Sequence, residues 1–327
     1  MDNAMKPQAG QPKPNAAGRR RLNLQKLGAL LGLVLLGLFF TIATSHFLQV
    51  NNLLTIALQT SIVAIVAIGQ TYVIIKGGID LSVGSIVALS GIICANMMKA
   101  GSPIWLAVIV GIVAGTVCGL INGAIIAYGK LPPFIVTLGM MGIARGAVLV
   151  ITDGIPVAGL PRSFSKLGGG TIFGIPTPVI IMIVLAVLTA FVLSRSRFGR
   201  SVYAIGSNEK TAYLSGINVN KTKLGVYGLS GLMAGIAGII LTSRLVSAAP
   251  TAGQNYELDA IAAAVIGGAS LNGGVGSIAG TFIGAFIMGI LRNGLNLLSV
   301  SYYWQQIAIG IVIVAAVYID SMRHRSK

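Results

Sequence analysis

The sequence predicts an all-α integral membrane protein of about ten transmembrane helices, with both termini in the cytoplasm. Three observations carry that expectation. Only 9% of the 327 residues are charged and 55% are hydrophobic, whereas a soluble domain carries about 25% charged residues. Apolar runs of about 20 residues, the length that crosses a bilayer core, recur along the chain. Lys and Arg gather in alternate loops, the pattern that orients membrane helices.

Residues 1–26 are polar, basic and Pro-containing, and read as a disordered cytoplasmic tail. Leu27 to Ala43 is the first apolar run. The basic stretch ahead of it is long and no clear A-x-A site follows, so an uncleaved helix is expected rather than a signal peptide. Further runs fall at about 53–75, 80–99, 103–128, 132–152, 176–194, 223–243, 256–270, 275–294 and 302–320. The 256–270 segment is short for a crossing, which points to a tilted, broken or re-entrant element. The membrane domain is thus 27–321, with 322–327 a second cytoplasmic tail.

Alternating ten spans from a cytoplasmic start places seventeen Lys and Arg inside, including Lys76, Arg195, Arg200, Lys210 and Lys223. Only Lys99, Arg162, Lys166 and Arg244 fall outside. The net charge of +16 is therefore an orientation signal. Nucleic acid is not an expected partner, because no aromatics interleave these cations; the expected surroundings are a lipid bilayer. Trp105 and Trp304 fall at outer helix ends, as an aromatic belt requires. Trp304 with Tyr302 and Tyr303 is also the kind of group that stacks on a sugar ring.

Gly111, Gly115, Gly119 and Gly123 recur every four residues, so they share one helical stripe. Gly276, Gly280 and Gly284 form a second. Such stripes let backbones approach, so both are expected to pack inside the bundle. A short internal echo links GGIDLSVGSI (77–86) with GGASLNGGVGSI (267–278), and LING (120–123) with LRNG (291–294). Asp80 follows two glycines and precedes an apolar run, the position of a helix N-cap. The two cysteines, Cys94 and Cys118, lie in apolar runs and read as free thiols, and no metal-ligand spacing is present.

Two kinds of chemistry are missing from the sequence. There is no G-x-x-x-x-G-K-[ST] phosphate loop. No span carries a relay of closely spaced Asp, Glu and His, which a proton-driven pump would use. A glycine-lined bundle with neither suggests a solute pathway energised by another protein. No cofactor is expected in this chain, and no catalytic constellation marks it as an enzyme.

The longest internal polar stretch, about 195–223, is where such a protein would act. Ser207 or Asn208 is placed to start a short helix and Gly216 to end it. A helix of about eight residues is marginal alone, and this one is expected to display Ala212, Tyr213 and Leu214 on the water side. It is expected to seek a partner surface.

That stretch resembles the E-A-A-x-x-x-G loop of ABC importer permeases. Ala212 and Gly216 match the pattern, and Lys210 and Thr211 stand where Glu and Ala are usual. GIDLSVGS (78–85), PPFIVTLGM (132–140), FGRSVYAIGSNEKTAYLSGINV (198–219), YELDAIAAAVIGG (256–268) and NGLNLLSV (293–300) are similar to the monosaccharide branch of this family, of ribose type. The resemblance spans about residues 40–320. It implies a type II-like permease bundle in the bacterial inner membrane that works as a dimer. Its partners would be a cytoplasmic ATPase, which binds ATP and Mg, and a periplasmic sugar-binding protein. It also implies ATPase coupling by Asn208, Glu209, Ala212, Tyr213, Leu214 and Gly216.

Arg244, Glu257 and Asp259 fall towards the outer face and are candidates for docking the binding protein; with Arg145 and Arg292 they are also able to compensate one another. Asn122, Thr137, Asn293 and Asn296 are candidates for lining the path, or for interhelical hydrogen bonds. The alternatives are a branched-chain amino acid permease and an ATPase-independent secondary transporter.

Overall fold

A computed structural model describes residues 16–325. Most of the expected tail 1–26, and the last two residues, lie outside the described residues. The first helix, α1 (Ala16–Ala43), begins inside that expected tail. It is followed by α2 (Val50–Ile75), α3 (Val83–Lys99), α4 (Ile104–Tyr128) and α5 (Pro133–Thr152). A small cap then forms from β1 (Val157–Ala158), a 3-10 turn (Arg162–Phe164), α6 (Ser165–Gly169) and the hairpin β2 (Thr171–Ile172)/β3 (Ile175–Pro176). Next come α7 (Thr177–Arg195), α8 (Arg197–Ser207), α9 (Glu209–Leu214) and α10 (Val219–Leu245). The chain closes with β4 (Ser247–Ala248), α11 (Tyr256–Ile266), α12 (Ile278–Leu297) and α13 (Tyr302–Arg325). β1 pairs antiparallel with β4.

Each of the ten apolar runs falls on a helix. Among the described residues six helices, α2, α4, α5, α7, α10 and α12, are both long and apolar enough to cross a bilayer; α3 and the apolar parts of α1 and α13 are shorter. The suspect run at 256–270 is the 11-residue α11, about 16 Å long at 1.5 Å per residue, so it stops well short of a crossing.

The bundle is built around α10. Its most apolar stretch is 72% buried, against 22% for that of α4, so α10 forms the core and α4 turns most of its surface outward. Their contact is backbone on backbone. A Cβ on Gly119 would overlap Tyr227 O and lie 2.9 Å from Gly231 Cα; one on Gly115 would lie 2.9 Å from Gly235 Cα. Gly111 and Gly123 approach Ile239 and Leu224 in the same seam. The second stripe is shorter than its spacing suggests. Gly280 and Gly284 press on Gly267 and Ala263 of the α11 segment, but Gly276 lies outside the helix. Ser277 caps α12, its hydroxyl accepting from Gly280 N–H at 3.1 Å, so the helix starts after Gly276.

The internal echo has a structural counterpart. α2 and α11 end alike: Gly77 (φ +85) and Gly268 (φ +92) take the left-handed turn that closes a helix. In each case the glycine and the residue after it donate back into the last turn. A non-helical segment, 76–82 or 267–277, then leads into α3 or α12.

Candidate functional site

The polar stretch at 195–223 folds as two helices. In α8, Gly199, Val202 and Ile205 are buried while Arg197 and Arg200 face out. Ser196 caps it, accepting from Gly199 N–H at 3.0 Å. Asn208 caps α9, accepting from Thr211 N–H at 2.9 Å, as such caps do. Gly216 closes α9 with φ +80. Six residues hold no helix alone, and two tethers fix this one. Ala212 is buried against Ile205 and Val219, rather than facing water as the sequence implies. Glu209 pairs with Lys223 of α10 at 2.7 Å. Tyr213 and Leu214 remain 69% and 75% exposed, and they border an open concavity with Gly216, Ile217 and Asn218.

The α8 helix rests on both non-helical segments. A Cβ on Gly206 would overlap Ile75 O and lie 2.6 Å from Gly274 N. One on Gly273 would lie 2.6 Å from Gly206 O and 3.1 Å from Gly77 Cα. Gly274 N–H donates to Ile75 O at 2.8 Å, and the Tyr203 hydroxyl donates to Gly276 O at 2.8 Å. Segments 76–82 and 267–277 thus meet under α8. Nothing in the local pattern marks Tyr203, Gly206 or Gly274 for this role.

Segment 76–82 leads to a buried polar cluster. Asp80 is fully buried and is not a helix cap; Ser82 holds the N-cap position of α3. One Asp80 oxygen accepts from Ser82 N–H (3.0 Å) and Ser82 Oγ (2.6 Å), and the other from Ser230 Oγ of α10 (2.8 Å). Gln70 brackets the Asp80 backbone, donating to its O at 3.1 Å and accepting from its N–H at 3.2 Å. Asn122 of α4 donates to Ser82 Oγ at 2.9 Å. Thr137 of α5 donates to Ile79 O at 3.2 Å. Four helices, α2, α4, α5 and α10, are therefore tied to one short segment. Asn122 and Thr137 are fully buried in these bonds.

Lys76 opens the same segment. It is 5% exposed, with Nζ 3.5 Å from the Tyr227 hydroxyl and 4.9 Å from its ring centroid. Burial, helped by the Lys223 charge, pushes its ammonium down from 10.5 to about 8, while Glu209 pulls the other way. Between those two values the unfolded chain binds more protons than the folded one, so stability rises with pH across that window. Below it the buried charge costs stability. Lys76→Met is expected to remove this rise, read as the difference in Tm between variant and parent from about pH 7 to about pH 10.

At the opposite end of the bundle the charged residues are largely spoken for. Arg292 Nη2 grips both oxygens of Asp259, at 2.7 and 2.8 Å. Asp259 is 2% exposed, which places it inside the bundle rather than on its surface. Arg145 donates to Pro250 O and, at 3.1 Å, to Ala252 O, pinning the chain ahead of α11. Glu257 and Arg244 are half-buried. Asn293 exchanges two amide bonds with Asn52, at 2.8 and 3.0 Å. Asn296 is exposed and accepts from Gln305 Nε2 at 2.7 Å. Among the described residues no group of His, Cys, Asp and Glu is arranged to hold a metal ion.

Residues 52–317 match the family described as branched-chain amino acid transport system / permease component. The chain belongs to this permease family. Its relatives include the ribose import permease protein RbsC of Bacillus subtilis (strain 168), 50% identical over 91% of this chain and 93% of that one. RbsC of Escherichia coli (strain K12) is 46% identical over 94% and 98%. The D-allose transport system permease protein AlsC of the same strain is 41% identical over 88% and 89%. This permease is accordingly a multi-pass membrane protein and a transport subunit.

Proposed function

We propose that this permease is the membrane subunit of an ATP-driven importer that passes a monosaccharide, ribose or a similar sugar, from a periplasmic binding protein into the cytoplasm. The observation that carries the reading is α9, a capped and doubly tethered six-residue helix that offers Tyr213 and Leu214 to solvent. The names of the relatives support a sugar as the solute. The seventeen-to-four distribution of basic residues supports ten membrane-embedded segments with both termini cytoplasmic, in a bacterial inner membrane. On that orientation α8 and α9 lie inside, and the β-hairpin cap lies outside.

The mechanism follows from the packing. A partner ATPase, binding ATP and Mg, grips α9 through Tyr213 and Leu214. Its closure moves α8 and α9 as a unit, because Ala212 and the Glu209–Lys223 pair lock them together. That motion reaches segments 76–82 and 267–277 through Gly206 and Tyr203, and from there α2, α3, α11 and α12. Two copies of the chain enclose the path. Asn296, on the face left open, lines it; Asn122, Thr137 and Asn293 hold the helices beside it. Arg244 and Glu257 serve the binding protein at the outer end.

Proteoliposomes holding the permease, its ATPase and the binding protein test this reading. Labelled ribose should accumulate only when all three and ATP are present. Uptake by the permease alone, driven by an ion gradient, would overturn it in favour of a secondary transporter.

A further inference from the structure

A cavity of about 40 Å³ lies between α2, α11 and α12, bordered by Gln59, Thr60, Asp259, Met288, Gly289 and Arg292. A water-sized group needs about 10–15 Å³, so the space suits two or three such groups. Its walls hold unspent hydrogen bonds. Thr60 is 2% exposed, and its hydroxyl has no partner; neither has Arg292 Nε. Buried polar atoms are otherwise almost always partnered. Opposite them stand the Asp259 oxygens held by Arg292. A Cβ on Gly289 would overlap Thr60 Oγ1, so the glycine leaves the hydroxyl its room.

The cavity is reached along a polar track. Gln59 is exposed and marks the mouth. Asn51, Thr55 and Gln59 recur every four residues and so share one face of α2. On α12, Asn296 lies four residues from Arg292. Both stripes start at the end opposite α8 and α9, and the cavity sits about 12 Å further along α2 at 1.5 Å per residue. Polar side chains on a membrane helix are costly against lipid, so this face borders water or a second copy of the chain.

We propose that this cavity is the permease's own contact for the sugar in mid-membrane, taking two neighbouring hydroxyls of a monosaccharide. One hydroxyl accepts from Arg292 Nε and donates to Asp259, the other bonds Thr60 Oγ1, and Gln59 closes the mouth. The Arg292–Asp259 pair neutralises itself, which suits an uncharged polyol. An amino acid would set its carboxylate against Asp259 or its ammonium against Arg292. The proposal rests on the sugar-importer reading above.

Two measurements test it, made with Cys94 and Cys118, buried and half-buried, replaced by alanine. In the complete transporter, Thr60→Val keeps the side-chain shape and should raise the apparent KM for ribose about fivefold, as expected for one lost neutral hydrogen bond. In the permease alone, Gln59→Cys should react with a small charged methanethiosulfonate. Free D-ribose at high concentration should slow that reaction, and adding Thr60→Val should remove the protection. A cavity that holds only water gives an unchanged KM and no protection, and overturns the proposal. If the parent transporter moves no sugar at all, the importer reading fails instead. A monodisperse elution profile checks that each variant is folded.

Discussion

Leu214→Asp is expected to abolish ATP-driven sugar uptake while the membrane bundle stays folded. Leu214 is three-quarters exposed and adds nothing to the core, so the Tm of the isolated permease should not move. Its cost falls on the complex. A central apolar anchor is worth about 2 kcal/mol or more at an interface, and a carboxylate buried there without a partner adds a desolvation penalty. Together they should weaken ATPase binding by about a hundredfold or more. Co-purification with the ATPase and uptake in proteoliposomes read the effect. Normal uptake with normal stimulation of ATP hydrolysis would remove α9 from the coupling role.

Gly206→Val should be nearly as severe, for a different reason. The new Cβ overlaps Ile75 O, and both this carbonyl and Gly274 N, 2.6 Å from that Cβ, belong to backbone that cannot rotate away. Either α8 lifts from the two non-helical segments or the Gly274–Ile75 hydrogen bond opens. Overpacking of this kind typically costs about 1–3 kcal/mol, so Tm should fall. Unlike Leu214→Asp, the variant should still bind the ATPase, because Tyr213 and Leu214 are untouched. Hydrolysis without uptake is the expected signature. A parental Tm and parental uptake would show that the stack is looser than its geometry implies.

The long helices were legible because a run of about 20 apolar residues has few other uses. The four-residue spacing of Gly111 to Gly123 likewise announced a close seam, though only the structure shows that α10 fills it. What the sequence hid is long-range or irregular. α8 looks polar because its buried face is only Gly199, Val202 and Ile205. Asp80 resembles a helix cap, yet Ser230, 150 positions away, shares its carboxylate. Gly276 fits a stripe by spacing and leaves it because Ser277 starts the helix one residue later. Asn293 suits a path or an interhelical bond by residue type, and it is Asn52, 241 positions away, that makes it the latter. Thr60 and Gln59 carry no local signal at all, since their interest comes from what α11 and α12 bring opposite them.

The seam between α4 and α10 limits how the molecule can change shape. Two helices that meet mostly main chain on main chain, with side chains such as Ile239 and Leu120 reaching across to glycines, have few rotamers to rearrange, so sliding or rolling one on the other would collide at once. They therefore travel as a single rod through any working cycle. Flexing is left to the stretches where regular hydrogen bonding is already interrupted, just after α2 and just after α11. A disulfide stapling α4 to α10 should be harmless to transport, whereas one clamping those two interruptions together should stop it.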